Sequence, residues 1–552
     1  MMKIKSITIK LLTTIILFSV SINLKAQEYS NAISTADNIE YTYFYKHLEF
    51  LSSDELKGRD TGSEGYAKAA DYVANEFKAN GLKPFGDDGT YFQKVPLIKR
   101  SFIKSSINFQ VENNEDKVIG VYGENYSLSI NFECDQVKED QELVFVGYGN
   151  ISSKDSINDY EGIDVKGKTV IVVMGAPKNV EMRGAYDPFS KVTNAVKQGA
   201  KGIILFFPNS NIFQGMIFKQ MHGFLKEPTV ELADTSMGKS MFNFDLTTAA
   251  FVKKELVKDI FKINGLKLKK ELKKIAKGNF ASRSLDSKLS VAYNINVENF
   301  SCKNVVAMLP GTDPNLKSEY VVVGGHLDHV GVGEEVKGDS IYNGMWDNAT
   351  GAAAILTISK AYNEMNEKPR RSLVFVCYTG EEKGLLGSEY FAQRNDISDG
   401  KIVANVNIDM LGGLFESTDV IPLGYSHSNL SEAIDFSAKS LDFIIDDNKK
   451  MENMFIQRSD QISYIKIGAP VINVANGFNA VNPKIDGEKF DEKWMKKYYH
   501  SPFDDINQEF SSEAFLKAIK LNFLTLYYTT NVIEEIKWND ESWLYKKYVL
   551  EE

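Results

Sequence analysis

The stretch EYVVVGGHLDH, residues 319–329, sets the reading of the whole chain. An unbroken apolar run, Tyr320 to Val323, leads into two glycines and then into His326 and Asp328. A run without polar alternation is the pattern of a strand buried on both faces, as in parallel sheets. Working outward, NGMWDNATG (343–351) opens an Ala-rich segment predicted to be helical through about Tyr362. SLVFVCYTGEE (372–382) and IVANVNID (402–409) repeat the buried-strand pattern. Such strands separated by helical segments predict an α/β fold whose functional groups collect outside the carboxyl ends of the strands. Those ends carry His326, Asp347, Glu381, Glu382 and Asp409. Together they form a nitrogen and oxygen donor set suited to zinc or a similar divalent ion.

The chain has 552 residues, 43% apolar and 25% charged, which is enough for a large core and predicts more than one domain. Lys3, Lys5 and Lys10 precede an apolar run from Leu11 to about Leu24, with Ala26 before Gln27. Residues 1–26 therefore read as a secretory signal peptide, because about 14 apolar residues fall short of the roughly 20 that span a bilayer. No stable membrane span is expected, and export to the periplasm or the cell exterior is. Removing residues 1–26 takes away four lysines and no acids, which moves the net charge from −10 to −14. Such an acidic chain is a poor nucleic-acid partner. Cys134, Cys302 and Cys377 show no CxxC spacing and read as buried thiols, with one disulfide left open.

After the signal peptide, 27–125 is expected to be the amino-terminal part of the main domain. Tyr41–Leu51 and 62–80 read as helices in it, the second opened by a capping box of Thr61 and Glu64. Residues 126–278 read as an inserted α/β unit. Strand-like runs lie at 142–148, 169–174 and 202–207, and a basic, leucine-spaced helix lies at roughly 253–277. Residues 279–552 resume the main domain, with strands at 419–423 and 470–475, a helix at 430–441, a polar loop ending in YYHSPFDD (498–505), and a last helix from Glu513 to about Lys537.

Two divalent ions about 3.5–4 Å apart need a carboxylate that bridges them and further ligands on each side. Asp347, at a helix start, is a natural bridge. The adjacent Glu381 and Glu382 allow one to hold metal while the other moves a proton. Asp328, two residues after His326, is placed to orient the imidazole.

The series GGHLDH, NGMWDNATG, YTGEEKGLLGSEYF, NIDMLG and YYHSPFDD, in this order, resembles the two-zinc aminopeptidase family that includes aminopeptidase Y and the glutamate carboxypeptidase and transferrin receptor relatives. LSSDELKGRDTGSEGY is similar to the family's amino-terminal region, and the inserted unit is similar to a protease-associated domain. The resemblance implies a phosphorylase/hydrolase-like three-layer α/β/α domain with a mixed, mainly parallel sheet. It also implies two Zn2+ ions, one held by His326, Asp347 and Asp409 and the other by Asp347, Glu382 and His500. Glu381 is the implied general acid/base, the peptide matching Asp347-Asn348 is often cis in the family, and peptides are the implied substrates.

Two departures from the family pattern bear on specificity. Met345-Trp346 stand where Ala-Asp is common, so Trp346 is expected to reshape the pocket wall or a contact surface. Ser459-Asp460-Gln461 replaces Ser-Asp-His. Asp504 is placed to hydrogen-bond near His500, while His329 reads as a loop residue, and His47, His222 and His427 have no partner pattern. The expected function is an exported metal-dependent aminopeptidase. A glutaminyl cyclase-like aminoacyltransferase, a carboxypeptidase acting on small acidic peptides, and a non-catalytic binding protein stand as alternatives.

Overall fold

The run at 319–329 forms the strand Glu319–His326, buried from Val321 onward. The strands Ser372–Tyr378 and Lys401–Asn407 lie parallel to it on either side. A computed structural model describes residues 30–550 except 132–133, 154, 179–184, 209–210, 235, 237–245, 279–281 and 395–399, so the expected signal peptide lies outside the described residues. The chain divides into two compact units, Met1–Pro96 with Ser301–Glu552, and Leu97–Phe300.

This insertion is wider than the expected 126–278. The strands Phe92–Phe102 and Arg283–Leu309 each run through a unit boundary, so no loop composition marks it. The strand Asn108–Glu112, read from sequence as part of the main domain, instead pairs with residues 288–292 inside the inserted unit.

In the main unit the sheet order is Lys83–Pro84, the end of Arg283–Leu309, Ser372–Tyr378, Glu319–His326, Lys401–Asn407, Val471–Asn476, Asp419–Leu423 and Ile444–Ile445. The four central strands are parallel, and antiparallel neighbours flank them. Successive side chains of a strand face opposite ways. Phe375 accordingly meets Phe77 and Tyr362, from the helices Glu64–Ala79 and Thr350–Glu364. Val374 and Val376 point the other way, into a core with Phe391, Ile462, Tyr464 and Ile465 from Leu386–Ala392 and Gln461–Lys466. The result is a mixed, mainly parallel sheet between two helical layers.

Several local expectations shift. The helix at Glu64 is capped by Ser63, whose side chain accepts from Tyr66 N (3.1 Å), because the Thr61 hydroxyl is used elsewhere. The last long helix, Ser512–Asn531, ends early. Val532 is extended, and the buried Arg371 guanidinium takes the carbonyls of Val532 and Glu534. The polar segment before His500 holds a helix, Gly487–Lys497, capped by Asp486.

The inserted unit has its own parallel strands, with Gln136–Phe145, Thr169–Val173, Gly202–Phe206 and Thr248–Val252 in that order. Its basic segment is two helices, Lys254–Ile263 and Leu268–Ile275, separated at Gly265, whose φ of 68° ends the first. All three cysteines are free thiols. Among the described residues no helix is long and apolar enough to cross a membrane.

Candidate metal centre

His326 is the last residue of its strand, and the two glycines before it are required by close packing. A Cβ on Gly324 would lie 2.1 Å from the Tyr378 hydroxyl, and one on Gly325 would lie 2.4 Å from the Ile408 carbonyl. Asp347 sits in the turn that opens the helix Thr350–Glu364, and its peptide bond to Asn348 is cis. The buried Asp504 carboxylate fixes that turn by accepting from the main-chain N of Trp346 (2.9 Å) and Asp347 (3.1 Å). Asn348 ties it to the next strand end. Its amide donates to Ile408 O (2.9 Å), and its carbonyl accepts from Gly351 N (3.0 Å) and Met410 N (3.2 Å).

The side chains then converge. His326 Nε2 is 3.2 Å from Asp347 Oδ1 and 3.3 Å from Asp409 Oδ1. His500 Nε2 is 3.3 Å from Asp347 Oδ2 and 3.1 Å from Glu382 Oε2. The two oxygens of Asp347 thus face two different groups. One comprises His326, Glu381 and Asp409, and the other His329, Glu382 and His500 with Asp347 itself, each group's ligand atoms lying within 4.8 Å of one another.

These residues fit a metal ion. Bonds of about 2.0–2.2 Å in tetrahedral arrangement separate neighbouring ligand atoms by roughly 3.3 Å, which is the spacing seen here. Glu382 Oε1, His500 Nε2 and both ring nitrogens of His329 are buried polar atoms without a hydrogen-bond partner, and such atoms are rare unless something else satisfies them.

Protonation in the cluster records the same negative potential that a cation would neutralise. Burial disfavours a charged His326, yet Glu381, Asp409 and Asp347 outweigh it and raise the ring's pKa well above the usual value. Burial likewise opposes charge on His500, but Glu382 and Asp347 lift it to about 11. The adjacent glutamates are driven apart. Burial, aided by Glu382, Asp460 and Asp409 and opposed by His326, raises Glu381 well above the carboxylate range. Glu382 is held down at about 2 by His500 and His329 against burial and Asp347. Environments that separate two carboxyl groups in this way assign them different chemical roles.

Supporting contacts differ from expectation at Asp328. His326 Nδ1 lies 3.0 Å from the main-chain carbonyl of Asp328, not its carboxylate. That carboxylate accepts instead from Thr61 Oγ1 (3.0 Å) and from the main-chain N of Glu381 (3.2 Å) and Glu382 (3.3 Å), so it holds the turn carrying both glutamates. Arg59, which the sequence reading passed over inside a polar loop, is fully buried. It donates to the carbonyls of Leu51, Leu327 (2.8 Å), Asn343 (2.6 Å) and Gly344 (2.9 Å), clamping the loops that follow His326 and precede Asp347. Burial lowers its pKa to about 10, while Asp328, Asp504, Asp347 and Glu382 favour its charge. A buried arginine among backbone carbonyls has no sequence signature, although GRDTG falls within a segment already singled out for resemblance.

The Trp346 indole is buried. Its Nε1 donates to Leu411 O (2.6 Å) and its ring stands edge-on to Trp494 at 4.4 Å, so it props the ligand loops from within rather than forming a contact surface. Gln461 is also buried and holds Asn407 (2.8 Å), two residues before Asp409. His329 is fully buried beside Glu382, where the sequence predicted only a loop position. His47, His222 and His427 lie against Tyr72, Ser127 and Ser542, outside both groups.

Residues 304–526 match the model of Peptidase family M28. Leucine aminopeptidase 2 of Arthroderma otae is 24% identical over 266 residues, 46% of this chain and 50% of that protein. Leupeptin-inactivating enzyme 1 of Streptomyces exfoliatus is 26% identical over 37% of this chain and 43% of its own length. A probable zinc metalloprotease of Pyrenophora teres is 34% identical over 20% of this chain and 22% of its own. The chain thus spans half or less of the length of these relatives. The solved aminopeptidase from Aneurinibacillus sp. strain AM-1 has a similar fold, with a TM-score of 0.53 at 19% identity over 92% of this chain and 99% of that one. The matched segment contains all five expected ligands, so it is in this part of the chain that the similarity to Peptidase family M28 lies.

Proposed function

We propose that the chain is an exported, metal-dependent aminopeptidase that removes amino-terminal residues from peptides at a centre of two zinc ions. The observation that carries this is Asp347, whose two carboxylate oxygens face separate ligand groups, as a bridge between two ions requires. His326 and Asp409 would complete one side and Glu382 and His500 the other. Ions so held polarise a scissile carbonyl and acidify water, which is the chemistry of two-metal hydrolases.

The chain's own residues supply the rest. Glu381 has the position and the raised pKa of a group that takes a proton from water and gives it to the departing amine. Asp328 keeps Glu381 and Glu382 on one turn through their main-chain N–H groups. Asn348 and Asp504 hold Asp347 by hydrogen bonds to the backbone around it. The inserted unit, in which no His and acid group occurs among the described residues, is read as a protease-associated module that influences substrate choice.

The test is metal content together with hydrolysis of a panel of aminoacyl-anilides, for the parent chain and Glu381→Gln. Two ions per chain in both, with turnover confined to the parent, is the expected result. One ion per chain with no anilide turnover by the parent overturns the proposal.

A further inference from the structure

We propose that His329 is a ligand of the centre, so that one ion is held by four side chains, His329, Asp347, Glu382 and His500, and the other by three. The proposal rests on the two-metal reading above and adds an asymmetry to it.

His329 is completely buried, and neither ring nitrogen has a hydrogen-bond partner. An imidazole in such a place normally donates from one nitrogen and accepts at the other. Its Nδ1 lies 2.8 Å from Glu382 Oε1, an ion-pair contact off the line of a well-formed hydrogen bond, which leaves Glu382 Oε1 without another partner. Two donor atoms this close and off hydrogen-bond line, in a group with Asp347 and His500, are placed as two ligands of one cation would be. A spacing of 2.8 Å is below the roughly 3.3 Å of tetrahedral neighbours. It is close to the roughly 2.9 Å that bonds of about 2.0–2.1 Å give at right angles, the geometry of a five-coordinate ion.

The backbone is arranged to bring this ring in. Gly344 has φ 59°, and a Cβ there would lie 2.5 Å from the His329 ring, so no other residue leaves the ring its place. His329 N donates to Arg59 O (3.3 Å), and the ring stands edge-on to His500, with centroids 5.4 Å apart. The carbonyl of the same Gly344 accepts from the Arg59 guanidinium, and Gly344 begins the turn that carries Asp347. His329 and the bridging carboxylate are therefore positioned by one piece of backbone.

The asymmetry has a chemical meaning. An ion enclosed by four protein ligands is retained, whereas one with three keeps a position open for water or substrate. An ion held by His326 and Asp409 would then be the more exchangeable of the two.

The experiment is titration of the metal-free full chain with Co2+, against a competing chelator, for the parent, His329→Ala and His329→Gln. The parent should bind two ions of unequal affinity. Both variants should weaken the tighter ion by roughly tenfold or more, and its visible absorption band should intensify as five-coordination falls to four. Glutamine keeps a hydrogen-bonding side chain, so a ring that merely donated to Glu382 would leave His329→Gln with parental affinity and spectrum, which overturns the proposal. Unchanged affinity in His329→Ala overturns it as well. If His329→Ala does not fold, the glutamine variant carries the same readout. A parent that binds no ion overturns the two-metal reading itself, and that outcome is distinct from both.

Discussion

Both units of this protein place buried parallel strands side by side, and the carboxyl ends of those strands lead to opposite results. In the main unit the strand ends present His326, Glu381, Glu382 and Asp409, whose polar atoms face one another across gaps of metal-ligand size. In the inserted unit, the loops after Gln136–Phe145 and Thr169–Val173 present Asn150 and Gly175, and the buried Lys191 reaches in to close them. Its ammonium donates to Asn150 Oδ1 and to Gly175 O (3.0 Å). One set of strand ends forms a candidate metal centre, while the other has a cation built into it. The crevice at the ends of parallel strands is thus only an opportunity. Residue chemistry decides whether it becomes a site, and the comparison can be broken at four places.

The largest effect is expected at the bridge. Asp347→Asn removes the charge shared by the two groups, so metal content should fall below two ions per chain and kcat/KM by more than about 10^4-fold, a greater loss than that of a proton-transfer group alone. Elemental analysis beside anilide kinetics checks this, and an Asp347→Asn protein that keeps both ions would remove the bridge from the mechanism. Glu381→Gln should instead keep its ions and lose about 10^2- to 10^4-fold in kcat, so that metal retention separates the two variants.

Arg59→Met tests whether the main unit's site depends on a distant clamp. Four buried carbonyls lose their donor, and a loss of roughly 3–5 kcal/mol in urea unfolding is expected. The smallest effect belongs to the inserted unit. Lys191→Met should cost roughly 1–3 kcal/mol and leave metal content unchanged. Burial lowers the Lys191 pKa from 10.5 to about 8, with Asp159 and Asp187 opposing. The unfolded chain therefore holds more protons than the folded one between those values, and the Lys191 contribution to stability grows as pH rises from about 8 to 10.5. A parent and a Lys191→Met variant with identical stability profiles over that window would show that the built-in cation has no energetic role.

The sequence disclosed the strands because they are buried on both faces and therefore unbroken. Ser372–Tyr378 has the bounds its apolar run predicts. It disclosed where the candidate ligand residues stand, since each lies at or just past a strand end or within a turn. It did not disclose interactions made through the backbone. Asp328 serves His326 by its carbonyl, and Arg59 reaches carbonyls as far as 285 positions away, where side-chain identity leaves no trace. Thr61 has capping-box spacing, but a partner 267 residues distant claims its hydroxyl. The domain boundaries were illegible for a related reason, since continuous strands cross them. His329 was passed over because a single histidine in a loop is ordinarily structural, and only the lack of any partner for its ring distinguishes it.

The Arg59 clamp also has a consequence for timing. It joins Leu51 to Leu327, Asn343 and Gly344, and the last of the expected ligands is His500. A ribosome adding about 5–20 residues each second needs upwards of about 20 seconds to travel from Arg59 to His500. Throughout that interval the nascent chain lacks a completed ligand set, and until Gly344 is made it lacks a completed clamp as well, so the candidate centre assembles only after His500 has been added, on loops the clamp can already hold.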